Sequence, residues 1–378
     1  MNASLSGRAG ASLAILTKAA AGTGNFVTAQ RLSECVSSAA QCKCSIVEES
    51  QFDSAADFLS WLKENGVVFV LGVHAFRAGR LLCEGAVPYG IVLGGTDVNV
   101  DMQNASAKRE VCVRALLRAR FVVAFSKEMV ESLAHALSAC SLAASLVESL
   151  LRKVCVIHQS VSIPQRSIGD ATALPPIHAY LGLDPSVNVI LLPAALRPIK
   201  DPLFLLDALC QHSASCAVEP APRFCLLIVG PSLDESTLSS VQHACVTHPQ
   251  VCKYTGLQPR QVVLHWMTCS FCVANTSHSE GMSGTILEAM AVGCPVLARC
   301  NAGNSSLVKH RVNGFVFSSA SEAVQQCVEL AGLPALRAEI CGAAAESIAR
   351  CHSRESEMLA FDCLLREHNV RFAAPGAT

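Results

Sequence analysis

The chain has 378 residues, of which 51% are apolar and 16% charged, and its 29 basic and 30 acidic side chains leave a net charge of −1. At roughly 150 residues per domain, this length predicts two domains. The near-zero charge and an aromatic content of 5% provide neither the field nor the stacking platforms that nucleic acid requires, so no nucleic-acid partner is expected. No apolar run approaches the roughly 18 residues that span a bilayer, so no transmembrane segment is expected either.

Neither the N-terminus nor the cysteines indicate secretion. A single Arg8 precedes a short apolar patch that Lys18 interrupts, and such a patch is too short for the apolar region of a signal peptide. We therefore expect a cytoplasmic location. In that reducing environment the 20 cysteines are expected to act mainly as small buried hydrophobic residues.

Short apolar runs alternate with stretches of helical periodicity, which is typical of parallel sheets flanked by helices. The first series of predicted strands lies at 12–17, 44–48, 67–73, 90–94, 121–125 and 154–158. A connection rich in turn residues follows at 159–187. The second series lies at 188–193, 224–229, 251–254, 271–275, 295–299 and 315–317.

The two strand series predict an α/β fold with two doubly wound domains, over 1–165 and 188–352. Ligands of doubly wound sheets bind beyond the carboxyl ends of the strands. Two such sheets facing each other would therefore hold a ligand cleft between them.

The first candidate site is a glycine turn. Gly22 and Gly24 follow the first predicted strand and precede a predicted helix at 27–39. Glycines at such a turn let backbone amides approach an anionic or hydroxyl-rich ligand at the helix N-terminus. The third glycine of a dinucleotide fingerprint is missing, so a simple tight turn is the alternative interpretation.

The second candidate is a pair of cations on the loop after the apolar run at 189–192. Arg197 and Lys200 lie three residues apart on this loop. They can converge on a diphosphate, arginine through its bidentate fork and lysine as a point charge. A solvated loop without a ligand is the alternative.

The third candidate is the segment from Ser277 to Leu297, which follows a predicted strand and enters a helix near Thr285. Glu280 falls in the loop and Glu288 in the first helical turns, with backbone N–H groups between them. Carboxylates accept hydrogen bonds from hydroxyls and the amides bind phosphate, so the segment suits a ligand that carries both groups.

These segments resemble the group 1 retaining glycosyltransferases, also called family 4. Residues 277–296 resemble the E-x7-E signature of that family, and further similarity lies in YTG at 254–256, LRPIKDPLFLLDAL at 196–209 and VNGFVF at 312–317. The resemblance runs from about residue 21 to 365. It implies the GT-B fold, in which two Rossmann-like domains face a central cleft, with a final helix at about 353–370 packed back on the N-terminal, acceptor-side domain.

The resemblance also implies a donor site in the C-terminal domain. Arg197 and Lys200 match the pair that grips the donor diphosphate, and Glu280 matches the carboxylate beside the transferred sugar; these three are the implied catalytic residues. Glu288 matches the carboxylate that binds the ribose hydroxyls. The other implied donor-binding residues are Gly22, Gly24, Gly281, Met282, Ser283 and Gly284.

The implied reaction transfers a sugar from a nucleoside-diphosphate sugar to an unidentified acceptor with net retention. No metal or other cofactor is expected, because cationic side chains and a helix N-terminus would stabilise the leaving diphosphate. Peripheral membrane contact through the basic residues between 108 and 120 is one option, and a solvated helix face is the other.

One departure from the family leaves a second function open. Gly94 stands where many relatives carry the histidine that touches the sugar, so the alternative is a non-catalytic protein of the same fold that binds sugar nucleotides. The residues expected on the acceptor side are His74, Thr96, Asp97 and Ser126. Capping of the following helix is the alternative role for Asp97.

Overall fold

The computed structural model describes residues 12–18, 24–40, 42–85, 87–103, 106–163, 176–215 and 221–370. These residues form two compact units. The first comprises the described residues up to Ser160 together with those from Arg354 onward, and the second runs from Val161 to Ser353. The chain therefore passes between the units twice. The domain boundary predicted at 165 lies outside the described residues.

The first unit is built on a parallel sheet flanked by helices. Its strands are β1 (Ser12–Thr17), β2 (Lys43–Glu48), β3 (Val67–Val73), β4 (Tyr89–Val92), β5 (Val122–Ala124) and β6 (Val154–Val156). They lie in the order β2-β1-β3-β4-β5-β6. Its first helices are α1 (Gly24–Ala40), α2 (Ala55–Glu64), α3 (Ala75–Leu82), α4 (Ala107–Arg118), α5 (Lys127–Ser138) and α6 (Ala144–Leu151), and a π-helical turn spans Asp97–Asp101.

The second unit has the same kind of architecture. Its strands are β7 (Asn188–Pro193), β8 (Phe224–Val229), β9 (Cys252–Tyr254), β10 (Cys272–Asn275), β11 (Val296–Arg299) and β12 (Phe315–Phe317). They lie in the order β12-β11-β10-β7-β8-β9. Its helices are α7 (Ile177–Leu181), α8 (Leu206–Ser215), α9 (Glu235–Thr247), α10 (Arg260–Cys269), α11 (Gly284–Ala291), α12 (Ala302–Leu307), α13 (Ala320–Gly332) and α14 (Pro334–Cys351).

These strands are rich in consecutive apolar residues because helices cover both faces of each sheet. On β7, Val189 and Leu191 pack into one core cluster, whereas Ile190 and Leu192 pack into another. Successive side chains of a strand point to opposite faces, so these two clusters lie on the two sides of the sheet. All twelve predicted strands are present, with ends that differ from the prediction by two residues or fewer, and the predicted α/β class is confirmed.

The last helix, α15 (Arg354–Glu367), belongs to the first unit and packs against α1. Its residue Glu357 has no exposed side-chain surface and forms an ion pair with Arg31 of α1. A second carboxylate oxygen accepts hydrogen bonds from Ser160, at 3.1 Å from the backbone N and 2.5 Å from Oγ. Burial lowers the pKa of Arg31 to about 10, yet the guanidinium stays charged at neutral pH. One buried carboxylate thus joins α1, α15 and the residue at which the chain leaves the unit.

We expect Glu357→Ala to destabilise the protein by about 3 to 5 kcal/mol, because it leaves the buried Arg31 charge without its partner. The measurement is urea unfolding followed by circular dichroism. Asp362→Ala is the matched control on the same helix, since Asp362 pairs at the surface with Arg366 and such i,i+4 pairs contribute only about 0.3 to 0.5 kcal/mol. Equal losses in the two variants would contradict the assignment.

Candidate functional site

The candidate site of the second unit lies where the strand order of its sheet reverses. β7 and β10 are neighbours there. From β7 the chain continues toward one edge of the sheet, to β8, and from β10 it continues toward the other edge, to β11. Such a reversal opens a crevice beyond the carboxyl ends of the two strands. The crevice holds a pocket lined by Leu192, Pro193, Ala194, Lys200, Ala274, Asn275, Thr276, Ser277, Glu280 and Thr285.

The loop after β7 reaches this pocket through a short 3-10 turn at Pro198–Lys200. Two hydrogen bonds from the loop after β10 hold the turn in place. The backbone N of His278 donates to the carbonyl of Ile199 at 2.9 Å, and Oγ1 of Thr276 donates to the carbonyl of Lys200 at 2.9 Å. The two strand-end loops are therefore joined directly beside the pocket.

An ion pair lies at the centre of the pocket. Nζ of Lys200 is 2.5 Å from Oε1 of Glu280, and the two side chains are 19% and 12% exposed. The same oxygen accepts hydrogen bonds from Oγ of Ser277 at 2.7 Å and Nδ2 of Asn275 at 3.2 Å. Burial by itself raises the pKa of Glu280, but the charge of Lys200 and these hydrogen bonds outweigh it, and the pKa is lowered overall. Glu280 is thus held as a carboxylate.

Asp201 closes the 3-10 turn with a left-handed backbone, at a φ of 43°. Its Oδ2 atom lies 2.8 Å from Nη1 of Arg299 and 3.2 Å from Nε2 of His278. The Arg299 guanidinium also lies over the ring of Phe204, 3.9 Å from its centroid. These contacts hold the residue that follows Lys200, at the end of the turn.

The loop after Glu280 leads into α11 through a tightly packed turn. Ser283 caps α11 by accepting a hydrogen bond from the backbone N of Ile286, and its hydroxyl receives Nδ2 of Asn275 at 3.0 Å. A Cβ atom at Gly303 of α12 would lie 2.3 Å from the carbonyl oxygen of Glu280, so this close approach requires glycine. Gly281 and Ser283 are buried, whereas Met282 is half-buried against the core. Gly284 begins α11 and is half-buried as well.

Glu288 lies in the second turn of α11 and pairs with an arginine of α10. Nε and Nη2 of Arg260 are each 2.8 Å from Oε1 of Glu288. The pair is partly exposed, with 47% of the arginine and 20% of the glutamate side chain accessible. Sequence reasoning missed Arg260, because it is 28 residues from Glu288 and no local pattern connects them.

Arg197 has a different environment from Lys200. It is exposed, its backbone is extended at a φ of −153°, and its guanidinium makes no hydrogen bond or ion pair to the residues that the structure describes. Of the two predicted diphosphate contacts, Lys200 is therefore held by Glu280, whereas Arg197 projects from the surface of the unit.

In the first unit, His74 follows β3 with an unusual backbone conformation. Its φ is 78°, a left-handed value that is costly for any residue other than glycine, and it is 3% exposed. Nε2 lies 3.6 Å from Oδ2 of Asp101, and Nδ1 has no hydrogen-bond partner among the described residues. A Cβ atom at Gly94 would lie 3.2 Å from the His74 ring, so the imidazole occupies the space beside that position.

The carboxylate of Asp97 is fully buried and serves the backbone. Oδ2 accepts a hydrogen bond from the backbone N of Ala75 at 2.8 Å, both oxygens lie 3.1 Å from the backbone N of Gly94, and Oδ1 accepts from Val98 at 3.0 Å. Asp97 thereby holds the turns after β3 and β4 together, next to the strained backbone of His74. These contacts are those of a structural carboxylate, although they are not the cap of the following helix that was the alternative expectation.

The remaining candidates of the first unit differ in exposure. Ser126 is 2% exposed and caps α5 by accepting from the backbone N of Met129. Thr96 is exposed directly before the π-helical turn. Gly24 begins α1 with open space around its Cα, and Gly22 lies outside the described residues. Only Gly24 and Thr96 are thus accessible among these.

Two of the basic residues between 108 and 120 form hydrogen bonds within the first unit. Arg109 donates to three backbone carbonyls, those of Met102, Gln103 and Ala139, and Arg120 donates to the carbonyl of His368. In the part of the chain that the structure describes, no helix is long and apolar enough to cross a membrane. Within the same ranges, no three His, Cys, Asp or Glu side chains group as ligands for a metal ion.

Comparison with known protein sequences matches the second unit to a protein family and most of the chain to a relative. The family model of the glycosyl transferases group 1 matches residues 187–332. The chain is 30% identical over 347 residues to glycosyltransferase 1 domain-containing protein 1 of Xenopus tropicalis, with 91% of this chain and 94% of that protein covered. It is also 30% identical over 139 residues to the D-inositol 3-phosphate glycosyltransferase of Jonesia denitrificans, which covers 36% of this chain and 32% of that protein.

Solved structures agree with this result. The structure of Anabaena Alr3699/HepE in complex with UDP and glucose matches with a TM-score of 0.73 at 16% identity, covering 94% of this chain and 99% of that chain. Sucrose-phosphate synthase from Thermosynechococcus elongatus matches with a TM-score of 0.70 at 16% identity, covering 94% and 98%. At such identities the likeness shows the fold alone, and the GT-B fold predicted from the sequence is confirmed.

The pKa of Glu280 gives a prediction for this site. In Lys200→Ala the effect of burial is no longer opposed by the lysine charge and its hydrogen bond, so we expect the pKa of Glu280 to rise above that of the wild type, although the hydrogen bonds from Ser277 and Asn275 remain. In the wild type, the stabilisation from the carboxylate is complete above the unfolded-state pKa and is lost as pH falls through the lower folded-state pKa. Carboxyl ¹³C NMR titration measures both values. An unchanged pKa in the variant would contradict the pairing.

Proposed function

Because the chain belongs to the group 1 glycosyltransferases, we propose that it transfers a sugar from a nucleoside-diphosphate sugar to an acceptor, with retention at the anomeric carbon. The observation that carries this proposal is the Lys200–Glu280 pair at the carboxyl ends of β7 and β10. It places a cation and a carboxylate side by side in the crevice where doubly wound sheets bind nucleotides. A diphosphate and a sugar hydroxyl are the groups that such a pair suits.

Negative charge develops on the diphosphate as it leaves the sugar, and the proposed role of Arg197 and Lys200 is to stabilise it. The guanidinium of Arg197 makes no hydrogen bond or ion pair to the described residues, and Lys200 lines the pocket. The first turn of α11, behind Ser283, adds backbone N–H groups and the positive end of a helix dipole. Preorganised donors of this kind stabilise charge in the transition state, and we propose that the reaction uses them without a metal ion.

The carboxylates take the hydroxyl-bearing parts of the donor in this proposal. Glu280 faces the pocket and would accept a hydrogen bond from the transferred sugar, supported by Ser277 and Asn275. Glu288 lies in the second turn of α11 and would accept from the ribose hydroxyls. Gly281, Met282, Ser283 and Gly284 lie between the two carboxylates along the chain, as the predicted donor contacts.

UDP is the donor nucleotide to test first, because solved structures of Alr3699/HepE contain UDP or UDP-glucose. The acceptor is a separate question. The D-inositol 3-phosphate glycosyltransferases match over only 36% to 44% of this chain, so their acceptor is not carried over. For the acceptor side we propose Thr96, which is exposed, and His74, whose Nδ1 lacks a partner among the described residues.

A second candidate function is sugar-nucleotide binding without transfer, and one observation favours it. The His74 ring lies against Gly94, 3.2 Å from where a Cβ atom would be, so a side chain at position 94 requires the ring to shift. The first unit therefore cannot accommodate the imidazole that relatives carry there while His74 stays in place. Turnover distinguishes the two functions.

We expect Lys200→Ala to weaken UDP binding by roughly 1.5 to 3 kcal/mol, as for the loss of a charge-assisted hydrogen bond. Isothermal titration calorimetry measures the affinity. Lys309→Ala is the matched control, because Lys309 is an exposed lysine of the same unit outside the pocket. Equal affinity of the wild type and Lys200→Ala would refute the proposed donor site.

We expect Glu280→Gln to lower the rate of transfer or of donor hydrolysis by more than tenfold while UDP affinity changes less, because the carboxylate is assigned to the sugar and not to the diphosphate. Product release from radiolabelled UDP-, GDP- and ADP-sugars measures the rate. A wild-type protein that binds donor and shows no turnover across a panel of sugar, polyol and lipid acceptors would instead support the binding function.

A further inference from the structure

We propose that Arg260 is a positioning residue that orients the Glu288 carboxylate for recognition of a ribose diol. This inference rests on the proposed function, because it assumes that a nucleoside diphosphate binds at the second unit. It adds a residue from another helix, and it predicts that discrimination between ribose and deoxyribose depends on that residue.

The geometry of the pair is asymmetric. Nε of Arg260 donates a hydrogen bond to Oε1 of Glu288 at 2.8 Å, and Nη2 lies 2.8 Å from the same oxygen as an ion-pair contact. The planar guanidinium holds the two nitrogens in a fixed relative position, so the hydrogen bond and the ion-pair contact together restrict the direction of the carboxylate. One oxygen of Glu288 is thereby committed to the protein.

The other oxygen, Oε2, has no partner among the described residues, and 20% of the Glu288 side chain is exposed. A carboxylate oxygen is an acceptor only, so Oε2 suits a ligand that donates hydrogen bonds. Adjacent hydroxyls of a ribose are such donors. The arrangement therefore leaves one open acceptor at a defined position on α11.

Arg260 is itself held at a second point. Nη2 also donates to the carbonyl oxygen of Ser162 at 2.9 Å. Ser162 follows Val161, whose backbone N donates to the carbonyl of His352 at 3.1 Å, so this segment is anchored within the second unit. The guanidinium thus bridges a fixed carbonyl and the carboxylate, as preorganised recognition requires.

Stability alone does not account for this arrangement. Arg260 is 47% exposed, and ion pairs at that exposure contribute little to folding because water screens them. Removing Arg260 is therefore expected to shift the thermal midpoint only slightly. Its effect should be concentrated on how Glu288 meets a ligand.

The test compares the affinities of UDP, ADP and GDP with those of their 2′,3′-dideoxy counterparts by titration calorimetry. For the wild type we expect the preferred nucleotide to bind roughly 10- to 100-fold more tightly than its dideoxy form, the loss of one hydrogen bond to a charged group. In Arg260→Gln we expect this ratio to fall to within about threefold of unity. Arg260→Lys, which keeps the charge but not the fork, should give an intermediate ratio and also serves if the glutamine variant does not fold.

Two controls separate this inference from the proposed function. Arg223→Gln removes an exposed Arg–Asp pair of the same unit and should keep the wild-type ratio. Lys200→Ala should weaken both members of each nucleotide pair and leave their ratio unchanged, since it acts on the diphosphate.

Each contrary outcome has a distinct meaning. A wild-type ratio that persists in both Arg260 variants overturns the role of Arg260 and leaves the proposed function intact. A wild type that binds ribose and dideoxyribose forms equally overturns the inference as well, while donor binding stands. A wild type that binds none of the six compounds overturns the proposed function and this inference together.

Discussion

The proposed donor site depends on one partly buried ion pair, between Lys200 and Glu280. Removing two charges from water is costly, and the cost is offset only where the geometry is good and further hydrogen bonds satisfy the groups. Here Ser277 and Asn275 supply those bonds to the carboxylate, and Thr276 holds the lysine backbone. The pocket is therefore polar and ordered before a ligand binds. Binding a diphosphate there would exchange part of the lysine's interaction with Glu280 for one with phosphate.

This pair exists because two strands that are distant in the sequence are neighbours in the sheet. Lys200 and Glu280 are 80 residues apart, yet β7 and β10 lie side by side where the strand order reverses. After these two strands, the chain continues to opposite faces of the sheet, which leaves the crevice between the two strand-end loops uncovered. The turn at Pro198–Lys200 then carries the lysine to Glu280, and Asp201 at the end of that turn pairs with Arg299 and His278.

The first unit uses polar strand-end residues differently. Asp97 has the position in the sequence that a ligand-binding carboxylate would have, but its oxygens are occupied by backbone N–H groups of two turns. Those bonds maintain the strained backbone of His74, which in turn fills the space beside Gly94. An acidic residue at the end of a strand is therefore ambiguous: whether it meets the ligand or holds the turn depends on which amides the neighbouring strand end presents.

By itself, the sequence determined the strands, the fold class and the main donor-site candidates. Strands covered on both faces are apolar along most of their length, so β1, β7 and β8 are visible as apolar runs of four or more residues. Polar residues that follow such runs lie at the carboxyl edge by topology, which is why Lys200 and Glu280 could be singled out. Only the tertiary structure decided which side chains pair. Arg260 reaches Glu288 from a different helix, and Asp97 accepts a hydrogen bond from the turn after another strand. Both contacts depend on how separate elements pack, and no local sequence pattern encodes that packing.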